Sequence, residues 1–208
     1  MARRQVAVID YGMGNIWSVL SAFNYLGANA YLVNQPMAII EADFIVLPGV
    51  GSFRKAMHTL NAQGISDAIK EAVLIKQSKL LGICLGMQLF ASHGTEDGET
   101  SGLGFINNKV DLFSPDELKS EKIPHIGFNT VRFNQKTGLF KDLPDQADFY
   151  FVHSYRMLNE ELSGSIGTCN YGVDFLAAFE LDNICGTQFH PEKSQTNGLI
   201  LLKNFLEI

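Results

Sequence analysis

Apolar positions in the first half of the chain follow two alternating patterns. Short β-branched and aliphatic runs predict buried strands at Gln5 to Asp10, Tyr31 to Val33, Ala42 to Leu47 and Leu80 to Cys84. Between them the apolar residues recur at helical spacing. Asn15 to Leu26 carries Ile16, Val19, Leu20, Phe23 and Leu26 on one face and stops at Gly27, while Ile65 to Lys76 carries Ile65, Ala68, Ile69, Ala72 and Val73. Phe53 to Asn61 and Leu85 to Ser92 are the remaining helices predicted in this half. Strands that alternate with crossover helices predict a parallel sheet covered on both faces.

The second half changes character after a polar loop, His93 to Ser101. Lys109 to Phe113, Thr130 to Phe133, Asp148 to Val152, Ser165 to Cys169, Phe175 to Glu180 and Ile184 to Phe189 are strand-like with little helix between them. They predict an antiparallel extension of the sheet, closed by a helix over Gln195 to Leu206 with Leu199, Leu202 and Phe205 facing inward. The charged stretch Asp116 to Lys122 reads as an exposed loop. The expected fold is α/β and flavodoxin-like: an open, mostly parallel sheet with helices on both faces and an antiparallel extension in the C-terminal half.

Composition narrows the function. The 208 residues are 46% hydrophobic and 18% charged, ordinary for a globular protein and enough for one core, so residues 1–208 are expected to form one domain. A net charge of −6 argues against a general nucleic-acid binder. The apolar run after Arg3 and Arg4 is too short for a secretory signal, and no stretch approaches a membrane span, so the expected location is the cytoplasm. Cys84, Cys169 and Cys185 cannot all pair within the chain, which suggests a reducing compartment. Each thiol then needs its own explanation.

Cys84 lies at a predicted strand-to-helix turn, Leu81-Gly82-Ile83-Cys84-Leu85-Gly86-Met87-Gln88. Glycines two residues away on either side allow a strained turn that exposes a nucleophile at the carboxyl edge of a sheet, and a helix dipole there favours the thiolate. A lone cysteine more often simply ends a buried strand. The flanking glycines favour chemistry. A thiol nucleophile needs a base, and the base needs an orienter. Gly186-Thr187-Gln188-Phe189-His190-Pro191-Glu192 places His190 and Glu192 at another strand end, which an open α/β sheet brings to the same crevice.

A third glycine-rich strand end, Leu47-Pro48-Gly49-Val50-Gly51-Ser52, can supply backbone N–H groups to an oxyanion, with the Leu85 N–H as the second donor. It lacks the Lys and Ser/Thr of a Walker phosphate loop, and Gly12-Met13-Gly14 has Trp17 where a dinucleotide turn needs glycine. The residues call for no cofactor and no metal.

Together, the Cys84 turn, Phe189-His190-Pro191-Glu192 and Pro48-Gly49-Val50-Gly51 resemble the triad-type (class I) glutamine amidotransferases over nearly the whole chain. The resemblance implies that Cys84 attacks the carboxamide of L-glutamine, His190 moves the protons, and Glu192 orients His190. Val50, Gly51 and Leu85 would form the oxyanion hole, the turn doing so after a backbone rearrangement. Gln88 would hold the bound glutamine and Glu96 its α-amino group. Ser154 and Tyr155 would hold its carboxylate, largely through backbone. Within the family, Asp10 to Asn15, Pro124 to Asn129, Tyr150 to Tyr155 and Gln188 to Ser194 are most similar to the glutaminase subunits of imidazole glycerol phosphate synthases.

Phe128 stands where those subunits usually carry tryptophan, and Arg156 follows Tyr155 where a second aromatic is common. These departures keep open a paralogous subunit that supplies ammonia for amidino-sugar synthesis. The resemblance implies a heterodimer with a (β/α)8 synthase/cyclase subunit that receives the ammonia, with contact through Asp10 to Asn15 and His125 to Asn129. Another thiol hydrolase, or a non-catalytic flavodoxin-like interaction domain, are the remaining alternatives.

Overall fold

Alternation along the central strands sends their side chains into two separate apolar cores. Val6 and Val8 pack with Val46, Leu81 and Ile83 on one face of the main sheet, whereas Ala7, Ile9, Ile45, Leu47 and Leu80 pack on the other. The structure, a computed structural model, describes residues 3–118, 121–158 and 162–208.

In chain order the first half comprises β1 (Gln5–Ile9), α1 (Ile16–Tyr25), β2 (Asn29–Val33), α2 (Pro36–Ile40), β3 (Phe44–Gly49), α3 (Phe53–Ala62), α4 (Ile65–Lys70, continued by a π turn, Glu71–Ile75), β4 (Lys79–Cys84) and α5 (Leu85–Gln88). It continues through β5 (Ala91–Gly94), β6 (Thr100–Ser101), β7 (Ile106–Leu112), α6 (Pro115–Leu118), β8 (His125–Phe133), β9 (Gln146–His153), β10 (Tyr155–Met157), β11 (Ser165–Tyr171), β12 (Val173–Leu181), β13 (Ile184–Thr187) and α7 (Gln195–Phe205).

The main sheet has nine strands in the order β2-β1-β3-β4-β13-β12-β11-β8-β9. Pairings from β2 to β13 are parallel and those from β13 to β9 antiparallel, so the antiparallel extension is as large as the parallel part. The parallel register aligns Gly49 with Cys84 and Ile83 with Thr187, which puts the carboxyl ends of β3, β4 and β13 at one edge. The sheet curves enough for its last strand to reach that edge: the His190 N–H donates to the Tyr150 carbonyl of β9 at 2.9 Å.

Three expectations need correction, and two short helices stand where none was expected. The helix after Cys84 is a single turn, because Leu89, Phe90 and Ala91 present their carbonyls to the N–H groups of Leu103, Ile106 and Gly104, and Ala91 enters β5. The polar stretch from His93 to Ser101 holds the end of β5 and all of β6, part of a second, four-stranded sheet ordered β10-β7-β5-β6 that periodicity does not separate from the first. Short helices at Pro36 and Pro115 also escape periodicity, each having a proline at or near its start. The stretch read as an Asp116 to Lys122 loop begins inside α6, and residues 119 and 120 lie outside the described residues.

Candidate active site

Cys84 ends β4 with φ 55° and ψ −111°, a left-handed conformation that side-chain-bearing residues rarely adopt. The flanking glycines admit the turn by absence of bulk. A Cβ on Gly82 would stand 2.6 Å from the Phe90 ring and 2.7 Å from the Met87 nitrogen; one on Gly86 would stand 1.8 Å from the Leu47 carbonyl oxygen. The turn is thus wedged between β3 and the chain that follows it, and the strain at Cys84 is held by packing on both sides. The helix beyond has one turn, so its dipole is weaker than the longer expected helix would provide.

The ionisable partner beside the sulfur is His190. Its Nδ1 lies 2.8 Å from Glu192 Oε1, and the two side chains are 2% and 1% exposed. Pro191 starts a short 3-10 turn that brings the carboxylate back to the ring two residues away. Burial alone would lower the imidazole. The neighbouring Cys84 sulfur and the hydrogen-bonded Glu192 carboxylate outweigh it, raising His190 to about 10. The imidazolium is therefore the resting form at neutral pH, placed between a carboxylate and a sulfur.

Glu192→Gln should keep the ring oriented while removing the charge that holds its proton. Activity that needs the imidazolium should then be lost at lower pH as pH rises, with the alkaline limb of kcat/KM moving down by about one unit or more. A pH–rate profile checks this; an unmoved alkaline limb would refute the assignment of Glu192.

The sequence-derived candidates gather around one cleft of about 290 Å³, at the small end of ligand-cleft sizes. Cys84, His190, Val50, Gly51, Leu85, Gln88, Glu96, Ser154 and Tyr155 all line it, and Glu192 stands behind His190. Below the turn, Gly49 is required because a Cβ there would meet the hydroxyl of buried Tyr11 at 2.6 Å. Glu96 is anchored by the Phe53 N–H at the start of α3, 2.9 Å from Oε2; burial raises its carboxyl, the Phe53 bond lowers it, and the Asp97 charge raises it further, with a net upward shift.

Other partners define what each group can offer. The carbonyl of Ser154 accepts from the Phe113 N–H, and that of Tyr155 accepts from Gln88 and His153, so neither carbonyl is idle. Both amide hydrogens of Gln88 are used, on Tyr155 O at 2.8 Å and Gln188 Oε1 at 2.9 Å; its carbonyl oxygen is the atom left for a ligand. Gln188 was missed among the candidates although its Nε2 lies 3.7 Å from Cys84 Sγ. Pro124, Val152 and His153, which lie in stretches that carry the resemblance but were given no role at the site, also line the cleft.

Arg156 sits away from the cleft mouth. It is buried, pairs with Glu117 at 2.9 Å and lies 4.6 Å over the Phe113 ring, so it fills an aromatic position by stacking. Phe128 is 52% exposed and does face outward. Cys169 and Cys185 are core residues: burial pushes the first thiol up to about 12 and the second well above its ordinary value. Among the described residues no group of acids, histidines and cysteines could hold a metal ion, and no helix is long and apolar enough to cross a membrane.

The family model for glutamine amidotransferase class-I matches residues 7–208. An imidazole glycerol phosphate synthase subunit HisH 1 of Campylobacter jejuni is 43% identical over 205 residues, covering 98% of this chain and 100% of the relative. The HisH subunit of Moorella thermoacetica is 42% identical, covering 99% of this chain and 95% of the relative. Among solved structures, a putative GMP synthase protein from Thermoplasma acidophilum superposes with a TM-score of 0.74 at 18% identity, covering 100% of this chain and 94% of that one. A glutamine amidotransferase from Thermotoga maritima superposes at 0.68 and 16%, covering 100% and 98%. These structures establish the flavodoxin-like α/β fold, and the sequence match over nearly the full length establishes the family: the chain belongs to the class-I glutamine amidotransferases.

Proposed function

We propose that the chain is the glutaminase subunit of an imidazole glycerol phosphate synthase, hydrolysing L-glutamine to glutamate and ammonia for histidine biosynthesis. The observation that carries this reading is the gathering of Cys84, His190 and Glu192 at one sheet edge in a chain more than 40% identical to subunits of that name. Those relatives favour the histidine route over the amidino-sugar one. Residues 1–208 act as one amidotransferase domain in this reading.

The Cys84 thiolate attacks the carboxamide carbon, forming the C–S bond as the carbonyl π electrons move to oxygen. The Leu85 N–H receives that oxyanion, joined by the Val50–Gly51 turn once its backbone has rearranged. His190 gives its proton to the departing nitrogen, the C–N bond breaks, and ammonia leaves a thioester. Water then attacks the thioester and passes a proton to His190. The C–S bond breaks, releasing glutamate and restoring the thiolate–imidazolium pair. Glu192 holds the ring throughout. Glu96 faces the α-amino group, Gln88 offers its remaining carbonyl oxygen, and the backbone N–H groups at Ser154 and Tyr155 face the α-carboxylate.

Ammonia passes to a separate (β/α)8 synthase/cyclase subunit in this reading. The stretches Asp10 to Asn15 and His125 to Asn129 meet that partner; Ile126 and Phe128, 60% and 52% exposed, give the second an apolar face beside Pro124 at the cleft. Adding the barrel subunit of the histidine route with its substrate is expected to raise glutamine hydrolysis by about 100-fold or more, the usual worth of one oxyanion-hole donor. Rapid hydrolysis by the isolated chain, with no gain from that partner, would refute the heterodimer.

A further inference from the structure

Two buried histidines outside the triad form a directed hydrogen-bond chain. His125, the first residue of β8, pairs in register with His153, the last of β9, and their rings meet with His125 Nδ1 3.0 Å from His153 Nε2. His153 Nδ1 lies 2.9 Å from the Tyr155 carbonyl oxygen. A carbonyl only accepts, so His153 carries its proton on Nδ1. Burial lowers His153 to about 3, with the charges of His125, His190 and Arg156 adding to it against the Tyr155 bond, and lowers His125 to about 4; both rings are neutral. A neutral His153 protonated on Nδ1 accepts at Nε2, and His125 is therefore the donor, through its Nδ1–H.

The chain continues into the site. The same Tyr155 carbonyl accepts from Gln88 Nε2 at 2.8 Å, Gln88 donates to Gln188 Oε1 at 2.9 Å, and Gln188 Nε2 points to Cys84 Sγ at 3.7 Å. His125 is stacked between Phe151 and Tyr171, with ring centres 4.7 and 3.9 Å away, so its position is fixed on both faces. It does not line the cleft, whereas His153, Tyr155 and Gln88 do.

We propose that His125 is a positioning residue for glutamine binding: its Nδ1–H fixes the tautomer of His153, which with Gln88 holds the Tyr155 carbonyl and so the wall of the cleft. The inference rests on the glutaminase reading. It also ties β8, whose Ile126 and Phe128 face outward, to the substrate wall through one buried donor.

The test compares His125→Phe, which keeps a ring in the stack and removes the donor, with His125→Asn, whose amide nitrogen replaces Nδ1. In complex with the barrel subunit, His125→Phe is expected to raise KM for glutamine about tenfold with kcat within about twofold, and His125→Asn to return KM to within about threefold of the parent. Alkylation of Cys84 by iodoacetamide should be unchanged in both. An unchanged KM in His125→Phe, equal impairment by both variants, or a loss confined to kcat would overturn the proposal. Should His125→Phe not fold, nitrogen NMR of the parent decides: both rings are expected to carry the proton on Nδ1 alone down to about pH 5.5, and the opposite tautomer in either ring overturns it. Absence of glutamine turnover in the parent complex would instead sink the glutaminase reading.

Discussion

Cys84→Ala is expected to reduce glutamine hydrolysis by roughly 10⁴-fold or more, because removing a nucleophile leaves only binding and the oxyanion donors to act on the carboxamide. The same change should abolish labelling by a glutamine-shaped electrophile, read by intact mass as one adduct on the parent chain and none on the variant. Cys169 and Cys185 serve as internal controls. They are fully buried with thiols pushed upward, and neither lines the cleft, so their presence should add no label. Equal labelling of parent and variant would remove Cys84 from the mechanism.

The backbone at Cys84 adds a stability readout to the same experiment. Alanine keeps a Cβ at φ 55°, whereas glycine does not, so Cys84→Gly should be more stable than Cys84→Ala by about 1 kcal/mol while equally inactive. That ordering reverses the usual cost of glycine in an ordered segment, and it would locate strain at the nucleophile itself. If Cys84→Ala were the more stable, the turn would not be strained in solution.

Much of this site was legible because its parts are strand ends. The strands around Val6, Ile45 and Leu81 are buried on both faces and read as continuous apolar runs, and parallel pairing then fixes which ends coincide. Cys84, His190 and the Val50–Gly51 turn therefore come together from the sequence alone. The triad's electrostatics could not, since the upward shift of His190 depends on burial and two neighbours at once.

The less legible parts have local patterns that tertiary pairing overrode. Leu85 to Ala91 is apolar enough to continue a helix, but the carbonyls of Leu89, Phe90 and Ala91 are taken by residues 103 to 106, and the chain turns into a second sheet. Arg156 stood out only as a departure from an aromatic position and is a buried cation between Glu117 and Phe113, a placement no periodicity reveals. Gln188 was passed over because its role is set by Gln88, a residue remote in sequence.

Gly86→Ala carries the second large expected effect, and it tests whether the elbow is wedged against β3. The added Cβ would stand 1.8 Å from the Leu47 carbonyl oxygen and 2.8 Å from its carbonyl carbon; both belong to backbone inside the parallel sheet, where no flexible side-chain end can give way. Overpacking of a core costs about 1–3 kcal/mol when side chains can adjust, and a rigid backbone contact belongs at or above the top of that range. About 3 kcal/mol corresponds to a loss of roughly 6–12 °C in Tm for a domain of this size. Activity should fall with it, because relief of the clash must move either the Cys84 turn or the strand that leads into Val50 and Gly51. Gly27→Ala is the control: Gly27 has φ 84° with no atom within 4 Å of the added Cβ, so it carries backbone strain without a clash and should cost only about 1–2 kcal/mol with glutaminase activity unchanged. Thermal melts of the two variants decide the matter, and a Tm for Gly86→Ala no lower than that for Gly27→Ala would show that the elbow has room the packing against Leu47 denies.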